Sequence, residues 1–326
     1  MTVQVRNASQ FLDSQCRPRT VQTGWQIGII PYTIHAVSLE QNNMSLHYEL
    51  DDYDLDGFTS VASTFGADRF GYVVTPNVDH LIRYHDDPKF QEQYANASYV
   101  LLDSRFLSHI FRAAKGMRVR VCTGSDLTAR LFSQIIAPDD SIVLIGGAEE
   151  QARLLAQTYG LKSLHHYNPP MGFIRDPSEV DACLDFVEAH SPFRFCFIAV
   201  GAPQQEILAQ MLKKRRVARG LALCIGASIN FITGKERRAP RWMQQVGLEW
   251  MYRLAIDPRR LARRYLVRGP RVFSLLRQTA VVVRAANGMG TTTIAATTIP
   301  MQLRGANPEA APASAERLPL NVADGG

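Results

Sequence analysis

Short apolar runs alternate with stretches of helical spacing through most of this chain of 326 residues. Each run is short enough for a strand, and the stretch after it has room for about three turns of helix. Strands are predicted at 72–75, 98–102, 118–122, 141–145, 163–167, 193–200 and 222–225. Because a helix between two strands returns the chain to the same end of the sheet, the strands run parallel. The predicted fold class is α/β, with a mostly parallel sheet covered by helices on both faces.

Two regions lack this alternation. The acidic run 51–54 is interpreted as a solvated loop. Beyond Pro240 we expect helices and no strands, with a break at Gly269-Pro270 because proline cannot continue a helix. The predicted organisation is a flexible leader over 1–24, an α/β domain over 25–234, a basic amphipathic helical appendage over 235–286 and a disordered tail over 287–326.

The appendage concentrates the positive charge of the chain. Residues 235–277 contain 12 Lys/Arg against 3 Asp/Glu, whereas the net charge of the whole chain is +6. The segment is also rich in Trp, Tyr, Leu and Met, which suits a surface that meets both phosphates and an apolar phase. By spacing, Arg260, Arg263, Arg264 and Arg268 share part of one helix surface. They could form a solvated face or clamp a diphosphate, and the shortage of acidic neighbours favours an anionic partner.

Polar residues follow several of the predicted strands. In open parallel sheets, ligands bind beyond the carboxyl ends of the strands, so these residues are candidates for a binding site. The candidates are Thr75, Asn77, Asp103, Thr123, Gly124, Asp126, Gly146, Gly147, Gln205 and Glu206. Most of them also have a purely structural interpretation. Asn77 and Asp126 could cap helices, and Gly146-Gly147 could form only a tight turn.

Asp103 has the clearest chemical interpretation. It follows an apolar strand, so its carboxylate could be partly desolvated beside a ligand and act as a general base. The alternative is a cap for the helix that begins near Phe106, and spacing alone favours the cap.

Several classes of site are not indicated. Neighbouring residues of a strand point to opposite faces, so His165 and His166 cannot readily share a metal ion, and no DxD motif follows any of the predicted strands. The dinucleotide and P-loop glycine patterns and a hydrolase-type Ser/His/Asp order are missing. We therefore expect no metal ion and no other cofactor. No apolar run approaches about 18 residues and no secretory signal is recognisable, so a cytoplasmic location is expected.

A series of motifs resembles one bacterial enzyme family. In chain order they are Thr75-Pro76-Asn77, Asp103, Thr123-Gly124-Ser125-Asp126, Gly201-Ala202-Pro203-Gln204-Gln205-Glu206, Arg238-Ala239-Pro240-Arg241-Trp242-Met243, Gly247-Leu248-Glu249-Trp250, Tyr252-Arg253-Leu254 and Pro258-Arg259-Arg260. Over about residues 70–278, the chain is similar to the WecG/TagA/CpsF glycosyltransferases, which form glycosyltransferase family 26.

This resemblance implies a Rossmann-like α/β domain with a C-terminal helical appendage. It also implies an inverting transfer of a sugar from a UDP-sugar to a polyprenyl-diphosphate-linked acceptor at the inner face of the plasma membrane. Asp103 would be the base, and Thr75, Asn77 and Gln205 would line the donor pocket. The acceptor diphosphate and the membrane would be met by Arg238, Arg253, Arg260, Arg263 and Arg264. An anionic membrane surface is thus an expected partner, nucleic acid is not, and a homo-oligomer is left open.

The chain departs from the family pattern at two positions. Ser104 follows Asp103 where glycine is usual, which would strain a turn of positive φ. Asn230 stands where an aspartate is common, so one carboxylate is missing. Three other functions are kept as alternatives: a nucleotide-dependent oxidoreductase, a basic nucleic-acid-binding protein and an inactive membrane-bound scaffold.

Overall fold

The computed structural model describes residues 46–286 of the protein. The predicted leader (1–24) and tail (287–326) lie outside these residues, as does the stretch 25–45. The strands are β1 (Leu46–Asp52), β2 (Phe70–Val74), β3 (Tyr99–Val100), β4 (Ser141–Ile145), β5 (Ser163–Tyr167), β6 (Phe195–Ile198), β7 (Gly220–Cys224) and β8 (Thr279–Ala285). Six of them form one sheet in the order β3-β2-β7-β6-β4-β5, and every neighbouring pair is parallel.

Helices connect and cover these strands. They are α1 (Leu55–Thr64), α2 (Val78–Asp86), α3 (Pro88–Ala95), α4 (Arg105–Lys115), α5 (Gly124–Arg130), α6 (Glu149–Tyr159), α7 (Pro177–Ala189), α8 (Gln204–Arg215), α9 (Ser228–Ile232), α10 (Arg241–Gln245), α11 (Glu249–Ile256), α12 (Pro258–Ala262) and α13 (Arg271–Gln278). A π-helical segment, Leu131–Ile135, continues α5, and another, Arg263–Arg268, continues α12. The predicted α/β fold class is confirmed.

The central strands alternate their side chains between two apolar cores. Tyr72 and Val74 of β2 face one core, and Val73 between them faces the other. Strands β4, β6 and β7 show the same alternation. Helices α2, α3, α7 and α8 cover the first core, and α1, α5 and α6 cover the second. Since the strands are buried on both faces, they read as nearly continuous apolar runs in the sequence.

Helix boundaries follow the local signals of the sequence. Asp87 caps α3 directly before Pro88, and its carboxylate accepts from Lys89 N at 2.9 Å. At the other end of a helix, Gly160 adopts a left-handed conformation with φ of 64° and terminates α6. Glycine reaches this region without a Cβ clash, which is why it commonly ends helices.

The predicted strand at 118–122 is wrong. Val119 and Cys122 are buried, but the backbone groups of this segment bond to partners of different kinds. Cys122 N donates to Leu102 O at 3.0 Å, whereas Arg120 N donates to a carboxylate oxygen of Asp52 at 2.9 Å. Some backbone N–H groups of this segment donate to side chains, so the segment does not form the regular backbone hydrogen bonds of a strand. Its apolar pattern nevertheless resembles that of a strand.

The expectation of no strands beyond Pro240 is also wrong. Strand β8 pairs in parallel with β1 as a separate two-stranded sheet, with Leu46 opposite Thr279 and Asp52 opposite Ala285. The β1–β8 pair therefore ties the C-terminal end of the appendage to the first described strand.

The acidic run 51–54 is not a solvated loop, because its first residues belong to β1. Asp51 is buried and accepts from Val100 N at 2.7 Å. Its two carboxylate oxygens accept from Nε and Nη2 of Arg284 at 2.8 and 2.9 Å. The cation that makes this burial tolerable lies 233 positions away in the sequence, so local composition could not reveal it.

The appendage contains the predicted C-terminal helices. Asp257 caps α12, with its carboxylate accepting from Arg260 N at 3.2 Å. The predicted break at Gly269-Pro270 separates the second π-helical segment from α13. Among residues 46–286, every helix is too short or too polar to cross a membrane.

Two ion pairs join the appendage to α2. Both guanidinium Nη atoms of Arg271 donate to the Asp86 carboxylate, at 2.9 and 2.8 Å. Nη2 of Arg264 lies 3.5 Å from Oδ2 of Asp79. Because Asp79 lies in the first turn of α2, the helix that follows β2, these contacts place the arginines of the appendage beside the carboxyl end of the sheet.

Candidate active site

A cleft with two adjoining lobes lies beyond the carboxyl ends of β2, β3 and β7. The larger lobe has a volume of about 850 Å³ and the smaller lobe about 370 Å³. The wall common to both is formed by Asn77, Asp79, Asp103, Ser125, Arg253, Arg264 and Tyr265. The turns and helices that follow the strands supply the first four of these residues, and the appendage supplies the last three. The cleft therefore depends on both regions.

Asp103 occupies the wall between the lobes. Its backbone N–H donates to Pro76 O at 2.9 Å, which fixes the turn after β3 against the turn after β2. Its Oδ1 accepts from Gly124 N, the first residue of α5, at 2.7 Å. Ser104, and not Asp103, caps α4, with Oγ accepting from Leu107 N at 3.1 Å. The cap interpretation of Asp103 is therefore wrong, and Asp103 lines both lobes of the cleft.

Burial raises the pKa of Asp103 from its ordinary value to about 6. The hydrogen bond from Gly124 N and the charge of Arg253 act in the opposite direction, and Glu249 adds to the increase. At neutral pH the carboxylate is still mostly ionised. A carboxylate with a pKa closer to neutrality accepts a proton more readily than an ordinary aspartate, which is the property required of a general base.

The turn at Ser104 is unstrained. Its φ is −119° and its ψ is 111°, which is ordinary extended backbone. The predicted difficulty of replacing glycine by serine after the aspartate is therefore absent, because that difficulty needs a positive φ. Serine instead supplies the hydroxyl that caps α4.

Arg253 is held in place from two sides. Its Nε and Nη2 donate to one carboxylate oxygen of Glu249, at 3.1 and 2.6 Å, across one turn of α11. Its guanidinium carbon lies 5.1 Å from the centre of the Phe231 ring, within the range of a cation–π contact. Arg253 lines both lobes and lowers the pKa of Asp103 through its charge. The half-buried guanidinium of Arg253 is thus held in place within the lining that it shares with the candidate base.

The larger lobe contains the three residues predicted to line a donor pocket, Thr75, Asn77 and Gln205. Asn77 also caps α2, because its Oδ1 accepts from Asp79 N at 3.0 Å. Oε1 of Gln205 accepts from Gly226 N at 2.9 Å, which joins the start of α8 to the loop after β7. Capping and lining are therefore compatible roles for Asn77.

The other predicted residues divide between the cleft and its surroundings. Thr123 lines the smaller lobe and Gly124 the larger. Asp126 is outside the described lining of both lobes. Nη1 of Arg238 donates to its Oδ1 at 2.5 Å, and Nη2 of Arg105 lies 3.5 Å from its Oδ2. Burial would raise the pKa of Asp126, but these arginines, Arg238 foremost, lower it below its ordinary value. Asp126 thus anchors Arg238.

Three more predicted residues lie outside the described lining of both lobes. Glu206 is fully buried, with Oε1 accepting from Gln205 Nε2 at 2.8 Å. Gly146 and Gly147 have φ values of 89° and 78° and form a tight turn after β4. Their carbonyl oxygens each lie 3.2 Å from Nε2 of His166. In the sheet order, β6 and β7 lie between β4 and β2. These glycines therefore lie at a different part of the carboxyl edge of the sheet from the cleft.

The predicted arginines also divide. Arg260 lines the larger lobe and is paired with Asp257 through Nε at 2.6 Å, and Arg264 lines both lobes. Arg263 is exposed and lies outside the described lining. The cleft therefore presents Arg253, Arg260 and Arg264 as its predicted cations.

Several residues of the lining were not predicted from the sequence. His80 lines the larger lobe, and its Nδ1 accepts from Asn77 N at 3.4 Å while its Nε2 lies 3.6 Å from Oε1 of Glu206. The position of His80, three residues after a helix cap, was the available signal. Glu249 lines the smaller lobe four residues before Arg253, a spacing typical of helical ion pairs.

The smaller lobe is largely apolar. The Trp250 ring lies 6.2 Å from that of Phe106 and 6.0 Å from that of Tyr265, measured between ring centres. Phe273 and Leu266 complete this part of the lining. The two lobes therefore differ in character, one rich in polar groups and the other in aromatic side chains.

Within residues 46–286, no three His, Cys, Asp or Glu side chains come together in an arrangement able to hold a metal ion. His165 and His166 diverge as adjacent strand residues do. His165 contacts Ser163 and His190, and His166 contacts the turn after β4.

The sequence model of the family described as "Glycosyl transferase WecG/TagA/CpsF family" matches residues 44–285. This match covers most of the chain and includes β1, the cleft, β8 and all but the last residue of the appendage. The chain therefore belongs to the WecG/TagA/CpsF glycosyltransferase family. The family likeness begins earlier and ends later than the motifs at 70–278 indicate.

Proposed function

We propose that this WecG/TagA/CpsF glycosyltransferase moves a hexose or N-acetylhexosamine from a UDP-sugar to a polyprenyl-diphosphate-linked sugar acceptor, with inversion at the anomeric carbon. The product would belong to bacterial cell-surface polysaccharide or exopolysaccharide synthesis. The position of Asp103 is the observation that carries the proposal. Its carboxylate lies in the wall shared by a polar lobe and an aromatic lobe, where two substrates could meet.

In the proposed step, Asp103 accepts the proton of an acceptor hydroxyl. The oxygen of that hydroxyl forms a bond to the anomeric carbon of the donor, and the bond from that carbon to the β-phosphate oxygen breaks. The electron pair of the broken bond leaves with UDP, so the diphosphate gains charge as the reaction proceeds. Attack from the face opposite to the leaving group inverts the configuration.

Arginines are placed to meet this charge. Arg253, Arg260 and Arg264 all line the larger lobe. Guanidinium groups bind phosphate oxygens through two parallel hydrogen bonds, and fixed cations aimed at a developing charge stabilise the transition state. We propose that these side chains act on the diphosphates without a metal ion.

The surface of the appendage supports a peripheral position at the inner face of the plasma membrane. Seven of the ten exposed large hydrophobic side chains of the described residues lie in the appendage. They are Trp242, Val246, Met251, Ile256, Leu266, Val267 and Phe273. Arg241, Arg259, Arg263 and Arg268 are exposed among them. Apolar side chains interspersed with cations suit an interface with anionic lipid, and fit it better than they fit nucleic acid.

The test is release of UDP from a panel of UDP-sugars, with a short-chain polyprenyl-diphosphate sugar as acceptor. We expect one donor of the panel to be turned over only when the acceptor is present, and we expect the rate to persist in excess EDTA. Turnover of no UDP-sugar would contradict the proposed donor class. Loss of activity in EDTA that is restored by a divalent cation would contradict the role given to the arginines.

A further inference from the structure

Glu236 is an acidic residue at an unexpected place. It lies between α9 and α10, it is exposed, and it lines the larger lobe between Lys235 and Arg237. The charge of Glu236 opposes that of the arginines in the same lobe. A carboxylate here would repel a diphosphate, so its presence needs another explanation.

A series of hydrogen bonds fixes the direction of the Asn230 side chain towards Glu236. Ala148 N donates to Gln151 Oε1 at 3.0 Å, which leaves the Gln151 amide nitrogen as a donor. That nitrogen donates to Asn230 Oδ1 at 2.9 Å. Asn230 Nδ2 then donates to Glu236 Oε1 at 2.8 Å. Because each bond sets the polarity of the next, Asn230 presents only N–H groups to Glu236.

The backbone holds Glu236 at the same place. Glu236 N donates to Asn230 O at 3.0 Å, so both the side chain and the main chain of Asn230 bind it. An aspartate at position 230 would place a second carboxylate at hydrogen-bonding distance from Glu236. Asn230, which departs from the family pattern, instead presents an amide donor to Glu236.

Glu236 and Asp103 line the same lobe, and contacts of the residues after Glu236 connect its segment to α5. Two residues further on, Arg238 donates to Asp126 of α5, and two residues of chain span at most about 7 Å. The first residue of α5, Gly124, donates to Asp103 through its N–H. The segment that carries Glu236 is thus joined through α5 to the candidate base.

We propose that Glu236 accepts a hydrogen bond from a hydroxyl group of the sugar that is transferred, and that it thereby selects the donor, with Asn230 as its positioning residue. This inference rests on the proposed function. A carboxylate offers about four acceptor positions, of which the Asn230 amide uses one. Sugar hydroxyls are neutral donors, so they bind a carboxylate that phosphates would avoid. The sugar must also lie near Asp103 for the transfer to occur.

The experiment compares the unaltered protein with Glu236→Gln and with the double variant Asn230→Asp/Glu236→Gln. The double variant has the carboxylate at position 230 and the amide at position 236, so the hydrogen-bonded pair between these positions is kept. It therefore controls for a loss of folding. Glu150→Gln, on the exposed face of α6, is the matched control. Two quantities are measured, kcat/KM for each UDP-sugar of the panel and the Kd of UDP alone by calorimetry.

We expect both Glu236 variants to lower kcat/KM for the preferred donor by about ten- to a hundredfold, as for loss of a hydrogen bond to a charged group. The ratio of kcat/KM values between two UDP-sugars that differ at one hydroxyl should become smaller in the variants. The Kd of UDP should stay within about twofold of that of the unaltered protein. If the kcat/KM values of the variants are unchanged, the role of Glu236 is contradicted, whereas the proposed function of the protein is not affected. An equal loss in UDP and UDP-sugar binding would also contradict that role, because Glu236 would then contact the nucleotide. If the unaltered protein neither binds UDP nor releases it from any UDP-sugar, the proposed function fails, and this inference fails with it.

Discussion

The sheet region and the appendage are stabilised in different ways. The sheet buries nearly all its large apolar side chains in two cores, one on each face. The appendage packs Val272 and Leu276 of α13 and the inward residues of β8 into the first core, and ion pairs to α2 and the pairing of β8 with β1 add to this attachment. It nevertheless leaves many of its other apolar side chains exposed, and these form a surface that is free to contact lipid. The comparison therefore assigns folding stability to the sheet and interfacial binding to the appendage.

The largest predicted effect is on membrane binding, which acidic substitutions on the appendage should weaken and the same kind of substitution on the sheet region should not. The double variant Leu266→Asp/Val267→Asp removes two exposed apolar side chains and adds negative charge. We expect binding to anionic vesicles to fall by about a hundredfold, from the lost apolar contact and the added repulsion. Sedimentation with vesicles of mixed neutral and anionic lipid measures it.

The control for this prediction is Val217→Asp, at a site of similar exposure outside the appendage. It should leave sedimentation unchanged. If vesicle binding falls equally in both variants, the proposal that the appendage contacts the membrane is contradicted. A truncation after Ile232 is a poorer test, because it would also remove β8 from its pairing with β1.

The β1–β8 pair gives the second prediction, on the stability of the attachment. Arg284→Ala leaves the buried Asp51 carboxylate without its cation, which should cost about 2 kcal/mol of unfolding free energy. Arg215→Ala removes a comparable arginine from an ion network on the sheet side, whose partners are the exposed Asp181 and Asp185 and the half-buried Glu188. This change should cost less than about 1 kcal/mol. Urea unfolding measures both. A larger loss from Arg215→Ala would contradict the role given to the β1–β8 pair.

The smallest predicted effect concerns the pH dependence at the point where the two regions meet. Asp103 acts as a base only when ionised, so kcat/KM should fall as the pH drops through its pKa of about 6. The charge of Glu249 raises that pKa, so Glu249→Gln should lower it and move the acid limb to lower pH. The pH profile of UDP release measures the shift, with Glu150→Gln as the control. A shift to higher pH would mean that Glu249 acts mainly by holding Arg253.

Much of the sheet could be predicted because its strands are buried on both faces and therefore read as apolar runs. Asp103 could be identified for the same reason, since it follows such a run directly. The order of the strands in the sheet could not be predicted from the sequence, because apolar runs do not show which strands are neighbours. The turn at Gly146-Gly147 follows β4, which is separated from β2 by β6 and β7, so local resemblance to a binding turn did not place it in the cleft.

Distant partners explain the other differences. Asp126 meets Arg238 from 112 positions away, and this pairing takes it out of the lining. The segment Arg263–Arg268 is π-helical, so its side chains do not follow the α-helical period. Spacing predicted that Arg263 and Arg264 share a face, whereas only Arg264 lines the cleft.

The most direct measurement is the rate of UDP release by Asp103→Asn, with donor and acceptor saturating. The substitution keeps the size of the side chain and removes its capacity to accept a proton. We expect the rate to fall by about a thousandfold, with UDP binding unchanged. The thermal midpoint should be equal to or above that of the unaltered protein, because the ionised carboxylate is partly desolvated. A rate within tenfold of the unaltered protein would contradict the assignment of Asp103 as the base.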